Sequence, residues 1–101
     1  MVILSIPARV DLRQIHDYIS QTSKHYAREV VQSIIGQFKS IGRFPRMGRV
    51  VPEIQDENIR EILIYSYRVV YRISKNDAEI AAIIHAKRDF KEAMKDRIPT
   101  A

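Results

Sequence analysis

With 101 residues, 46% of them hydrophobic and 29% charged, the chain is long enough for one packed core and too short for two. No run of 18 apolar residues is present, which excludes a membrane-spanning helix, and Met1–Pro7 lacks the basic start and apolar length of a signal peptide, so a cytoplasmic protein is expected. There is no cysteine, hence no disulfide or thiolate site, and His16, His25 and His85 have no ligand spacing, so neither metal nor cofactor is expected.

The net charge of +5 is unevenly spread. Residues 1–50 hold eight Lys/Arg against three Asp/Glu, whereas 51–101 hold nine of each. Lys39, Arg43, Arg46 and Arg49 fall within eleven residues that contain no acid. Such a patch attracts phosphate backbones and acidic proteins alike.

Along the chain, Val2-Ile-Leu reads as a short strand that ends at Ser5-Ile6-Pro7, a helix-start signal. Ala8, Leu12, Ile15 and Ile19 then form an apolar stripe at helical spacing. Ser20–Lys24 interrupts it, and a second stripe follows in Ala27, Val31, Ile34, Phe38 and Ile41, with Gly42 and Pro45 as stop signals. Two amphipathic helices across a polar turn predict a helical hairpin. "MGRVVPEIQDEN" is extended and punctuated, with Pro52 suited to an edge. "IREILIY", "YRVVYRIS" and "EIAAIIHA" predict three strands of an antiparallel meander, broken at Ser66 and at Lys75-Asn76-Asp77. "KRDFKEAMKDRIP" predicts a short last helix that stops before Pro99. The result is an α+β domain over residues 1–101, ordered β-α-α-β-β-β, with the hairpin packed on one face of a small, mainly antiparallel sheet.

Alternation in the strand from Tyr67 puts Tyr67, Val69, Tyr71 and Ile73 toward the helices and leaves Arg68, Val70 and Arg72 on an open face. In the next strand His85 shares a face with Ala81 and Ile83, opposite Ile80, Ala82 and Ile84. Both sets are apolar, so alternation does not decide which face His85 joins. Lys87 and Arg88 follow at the strand's end.

No Gly-rich phosphate loop and no Gly-x-Ser-x-Gly elbow occurs. The basic cluster fits one metal-free chemistry, cleavage of RNA by its own 2′-hydroxyl. Arg68, Arg72 and Arg88 are suited to clamp phosphate, and His85 to act as general base or acid. The plainer reading is that these arginines solubilise a sheet face, with Tyr65, Tyr67 and Tyr71 as packing residues.

At these positions the sequence resembles the ParE/RelE superfamily of type II toxin–antitoxin toxins. The matching pieces are "DLRQIHDYI", "FPRMGRVVPE", "IREI", "YRVVYRI" and "IIHAKRDF", in family order. The resemblance implies a toxin neutralised by an antitoxin with an acidic or amphipathic segment, in a hetero-oligomer. It also implies one of two targets, DNA gyrase for ParE-like members or ribosome-bound mRNA for RelE-like nucleases.

In the RelE-like case Arg68, Arg88 and Lys87 fall on the nuclease's basic positions, with His85 beside them. Yet Glu61-Ile-Leu-Ile64 stands where such nucleases carry lysines, no tyrosine follows Tyr71, and His85 precedes Ala86 rather than a tyrosine. "MGRVVPE" and "IREI" resemble the ParE side. The expectation is a ParE-like gyrase inhibitor, with Arg46, Arg49, Arg60 and Arg72 as a basic rim for target or antitoxin contact. The alternatives are an mRNA endonuclease and an inactive antitoxin-binding module.

Overall fold

Ser5 begins the helical hairpin as the sequence predicts. In the computed structural model, which describes residues 1–97, its hydroxyl accepts the Ala8 N–H at 3.2 Å, ending strand β1 (Val2–Leu4) and opening helix α1 (Ile6–Ser20). Ser23 does the same for helix α2 (Lys24–Arg43), accepting the Tyr26 N–H at 3.1 Å. Gly42 lies inside that helix and keeps an ordinary negative φ, so it does not terminate it. The end comes at Phe44, whose N–H bonds to the Ser40 carbonyl, just before the 3-10 turn Pro45–Met47.

The predicted meander is present as β3 (Ile59–Ile64), β4 (Tyr67–Ser74) and β5 (Asp77–His85). A two-residue strand, β2 (Arg49–Val50), adds itself to the free edge of β3, and Pro52 falls in the turn beyond it. The sheet order is β1-β5-β4-β3-β2, antiparallel throughout except that β1 runs parallel to β5. The last helix, α3, is only Phe90–Ala93, capped by the Asp89 carboxylate on the Glu92 N–H. The predicted stop before Pro99 lies outside the described residues.

Alternation assigned the helix-facing residues correctly in β4. Val69, Tyr71 and Ile73 pack with Ala8, Val30, Ile34 and Ile41 of the hairpin, and Leu12, Ile15, Ile19 and Phe38 border them. A fully buried aliphatic of this kind contributes about 1.5–3 kcal/mol. Val30 takes the core place expected of Val31, which is half-buried beside it.

Two expectations about the sheet are corrected. The face opposite the hairpin is not open. Val51, Ile59, Val70, Ala82, Ile84, Phe90, Ala93 and Met94 make a second core there, closed by the 51–58 loop and α3. The strict two-residue period also fails in β5. Val70 pairs with Ala82 but Tyr71 pairs with Ile80, so Ala81 is an extra residue, a β-bulge. Ile80 and Ile83 both therefore face the hairpin, while Ala81, Ala82 and Ile84 face the second core.

The Tyr71 hydroxyl donates to the Pro45 carbonyl at 2.6 Å and accepts the Gly48 N–H at 2.9 Å, fixing the 3-10 turn to the sheet. Burial pushes this phenol's pKa up, against the opposing pull of the Gly48 hydrogen bond. A Cβ on Gly48 would lie 2.6 Å from the Tyr71 hydroxyl and 2.7 Å from the Glu61 carbonyl. Gly48→Ala is expected to lower unfolding free energy by about 1–3 kcal/mol, read from urea denaturation, because neither neighbour is a flexible chain end.

Candidate functional site

Arg68 enters the second core from β4 and is only 8% exposed, rather than standing with Arg72 on an open face. Its Nε donates to Glu61 Oε1 at 2.5 Å, and its two terminal nitrogens reach both oxygens of Glu53, at 2.7 and 2.8 Å. Its carbon centre lies 4.3 Å from the Phe90 ring centroid, so the guanidinium plane is occupied as well. Glu61 comes from the neighbouring strand and is fully buried; its second oxygen takes Arg49 Nε at 2.7 Å. Glu53 comes from the loop that covers this face. An Arg49–Glu61–Arg68–Glu53 chain results, in which two carboxylates neutralise two arginines.

The fork geometry explains why arginine serves here, since lysine cannot bond two carboxylates from one plane. These hydrogen bonds, Glu53's first and desolvation opposing them, raise the Arg68 pKa above its ordinary value. The Arg68 hydrogen bond likewise holds the Glu53 carboxyl below the usual carboxylate range, against desolvation.

The other sequence candidates do not converge on Arg68. Arg72 is four residues along β4, about 13 Å away, and exposed, facing Glu79 at 3.6 Å. Arg60 turns back across the 3-10 segment and donates to the carbonyls of Gly48 at 2.9 Å, Arg46 at 3.2 Å and Glu57 at 2.9 Å. It serves as a staple rather than part of a free rim. Arg46 is exposed. The bulge sends His85 to the hairpin side, where its ring meets Tyr67 edge-on at 5.4 Å. Its Nδ1 accepts the Lys87 N–H at 3.1 Å, which leaves the proton of a neutral ring on Nε2. Lys87 and Arg88 are exposed in the turn after β5. Arg68 and His85 thus belong to opposite faces of the sheet.

One buried pair gave no sign in the sequence. Asp11, on α1 among apolar neighbours, accepts the Ile83 N–H at 3.0 Å and forms a two-point ion pair with Arg97, at 2.5 and 3.0 Å. Arg97 also donates to the Ala81 carbonyl, as does Ser5, so side chains satisfy the backbone that the bulge frees. The only advance signal was an acid placed early in an amphipathic helix, and many exposed helices share that. Elsewhere on the hairpin side, Leu4, Leu12 and Val31 line an open groove together with Arg9, Arg13, His16 and Asp17. Among the described residues no cluster of three potential metal ligands occurs, and no helix is long and apolar enough to cross a membrane.

Known proteins supply the context for this arrangement. The family model for the ParE toxin of the type II toxin–antitoxin system, parDE, matches residues 2–90. No curated protein sequence matches the chain. The structure of a chromosomal ParDE toxin–antitoxin system from P. aeruginosa is similar with a TM-score of 0.68 at 21% identity, over 83% of this chain and 92% of that one. The toxin–antitoxin complex RelBE2 from Mycobacterium tuberculosis gives 0.60 at 19%, over 84% and 95%. A YoeB–YefM complex from Staphylococcus aureus gives 0.55 at 20%, over 84% and 94%. At such identities the likeness is one of fold.

Two measurements test the network. Arg68→Ala strands the buried Glu61 carboxylate with Arg49 alone and is expected to cost about 3–5 kcal/mol, whereas the exposed Arg72→Ala changes stability by less than about 1 kcal/mol. The Glu53 carboxyl has a folded pKa below its ordinary 4.5, so ionised Glu53 stabilises the protein at neutral pH. That stabilisation is lost as pH falls below about 4.5 and through the lower folded value. The stability gap between wild type and Glu53→Gln is therefore expected to be flat from about pH 6 to 8 and to shrink on acidification. A gap that widened in acid would reverse the assignment.

Proposed function

The chain belongs to the ParE toxin family of type II toxin–antitoxin systems, and from that premise we propose that it inhibits DNA gyrase by binding, without catalysing a reaction. One observation carries the reading. The arginine that a RelE-like ribonuclease would turn toward phosphate, Arg68, is here held between Glu53 and Glu61 and covered by Phe90. Its Nε and both terminal nitrogens are already bonded to carboxylates, whose charge repels a phosphodiester. Glu61 also occupies the strand where the resemblance implies lysines for a nuclease. His85, the remaining acid–base candidate, lies across the sheet from Arg68. Nucleophile activation by His85 and phosphate stabilisation by Arg68 would have to act through opposite faces of one sheet, which no single substrate phosphate can span.

The partner that neutralises such a toxin is an antitoxin. The groove lined by Leu4, Leu12 and Val31 suits the apolar side of an amphipathic segment, and Arg9 and Arg13 in the same lining suit acidic residues on that segment. Its capture is then coupled folding and binding, with charge setting the association rate.

Purified chain added to gyrase is expected to stop supercoiling and to accumulate cleaved DNA complexes. Unchanged supercoiling, together with codon-phased cleavage of ribosome-bound mRNA that Arg88→Ala lowers by orders of magnitude, would overturn the proposal in favour of a nuclease. Absence of any growth defect on induction, with tight antitoxin binding kept, would point to an inactive binding module.

A further inference from the structure

Four of the five tyrosines gather at one end of the molecule, on the hairpin side of the sheet. Tyr18 is near the end of α1, Tyr26 is in the first turn of α2, Tyr65 is in the β3–β4 turn, and Tyr67 opens β4. Tyr26 and Tyr65 stack edge-to-face with ring centroids 6.1 Å apart, and Tyr67 meets His85 in the same manner at 5.4 Å. Tyr18, Tyr26 and Tyr65 are 73%, 46% and 55% exposed, although each is an aromatic large enough to fill a core. Burial first, and then the nearby phenols of Tyr26 and Tyr18, raise the Tyr67 pKa, which ties all four rings to one neighbourhood.

Tyr65 adds a second, independent sign. Its φ is 53°, in the left-handed region where glycine or asparagine is at ease and a bulky residue is strained. Gln55, Lys75 and Asp96 also have positive φ, but each is polar; Tyr65 is the aromatic among them, and a two-residue hairpin turn has no need of an aromatic there. The cations around it complete the picture. Lys24 begins α2 two residues before Tyr26, and Lys87 and Arg88 follow His85; all three are exposed, and none forms an ion pair among the described residues. The acids at this end already have partners: Asp17 with His16, Glu29 with His25, and Asp89 with the Glu92 N–H. Of the exposed aliphatics that would core a protein interface, Ile6 and Val10 lie at the far end of α1, Ile3 in β1, Ile35 in the middle of α2, and Leu63 on a strand position facing away from the hairpin.

We propose that this end is a platform for single-stranded nucleic acid, on which bases stack against Tyr18, Tyr26 and Tyr65 while Lys24, Lys87 and Arg88 hold the backbone. Flat aromatic faces beside unpaired cations are what such binding uses, and it needs no base-edge readout. The platform lies across the sheet from Arg68, and it goes beyond the gyrase reading and stands without it.

The chain contains no tryptophan, so its intrinsic fluorescence is tyrosine fluorescence, and most of it arises from the platform. Titrating the full chain with a mixed-sequence single-stranded DNA of about 12 nucleotides is expected to quench that emission. The affinity falls steeply between about 50 and about 200 mM salt, and the corresponding duplex binds more weakly. Tyr65→Gly relieves the strained φ and keeps or raises the melting temperature, so a loss of binding in that variant is not a loss of fold. Combined with Tyr26→Ala it is expected to weaken binding at least about tenfold. Unquenched fluorescence at saturating DNA, or wild-type affinity in the double variant, would overturn the proposal. So would loss of gyrase inhibition by Tyr65→Gly with DNA affinity intact, which would make the patch a protein contact.

Discussion

The extra residue at Ala81 sets the chemistry of both faces of the sheet. A bulge advances the strand by one residue without advancing its partner, so every side chain beyond it changes sides. Ile83 and His85 are carried to the hairpin, and Ala82 and Ile84 to the second core. The freed backbone is then claimed by Asp11, Arg97 and Ser5, three side chains that come together nowhere else. Without the bulge Asp11 would lose its Ile83 N–H and keep only Arg97, and a buried carboxylate short of a hydrogen bond is costly. Bulge and acid therefore require each other.

Arg68 shows how little a residue type reveals before its surroundings are known. Guanidinium chemistry is identical in a phosphate clamp and in a buried ion pair; the carboxylates within reach decide between them. Here there are two, from different segments, and an aromatic ring closes the third side. Breaking such a group exposes a buried charge, which is why removing one partner costs more than the intact pair contributes. The arginine ties the 51–58 loop and the end region around Phe90 to the middle of the sheet.

Much of this architecture was legible in the sequence. Helical spacing located both helices and their apolar stripes, Ser5 announced the first cap, and the Val/Ile/Tyr-rich runs located three strands in the right order. What periodicity could not reveal was whatever breaks it. A bulge leaves no mark in "EIAAIIHA", because residues of both faces are apolar and either register reads equally well. The burial of Arg68 was hidden for a related reason: its partners Glu53 and Glu61 are fifteen and seven residues away and look like ordinary surface charges. A two-residue strand such as Arg49–Val50 is too short to carry any alternation. The sequence reads the tyrosines as packing residues, which holds for Tyr71 and for the half-buried Tyr67; the left-handed φ of Tyr65 is a property of the folded turn and has no sequence signature.

The parallel pairing of β1 with β5 has a consequence for how the molecule comes into being. Val2 is matched with Ala78, Ser5 bonds across to Ile80, and Asp11 closes on Arg97, 86 residues later. The first strand has no sheet to join until the last strand has been made, and the first helix lacks its charge partner until residue 97 exists. Hairpin and meander can each form locally, but the contacts that unite them span nearly the whole sequence and form late. During synthesis the nascent chain carries two incomplete halves with apolar faces uncovered, and the finished surface appears in one cooperative step after elongation has passed the final turn.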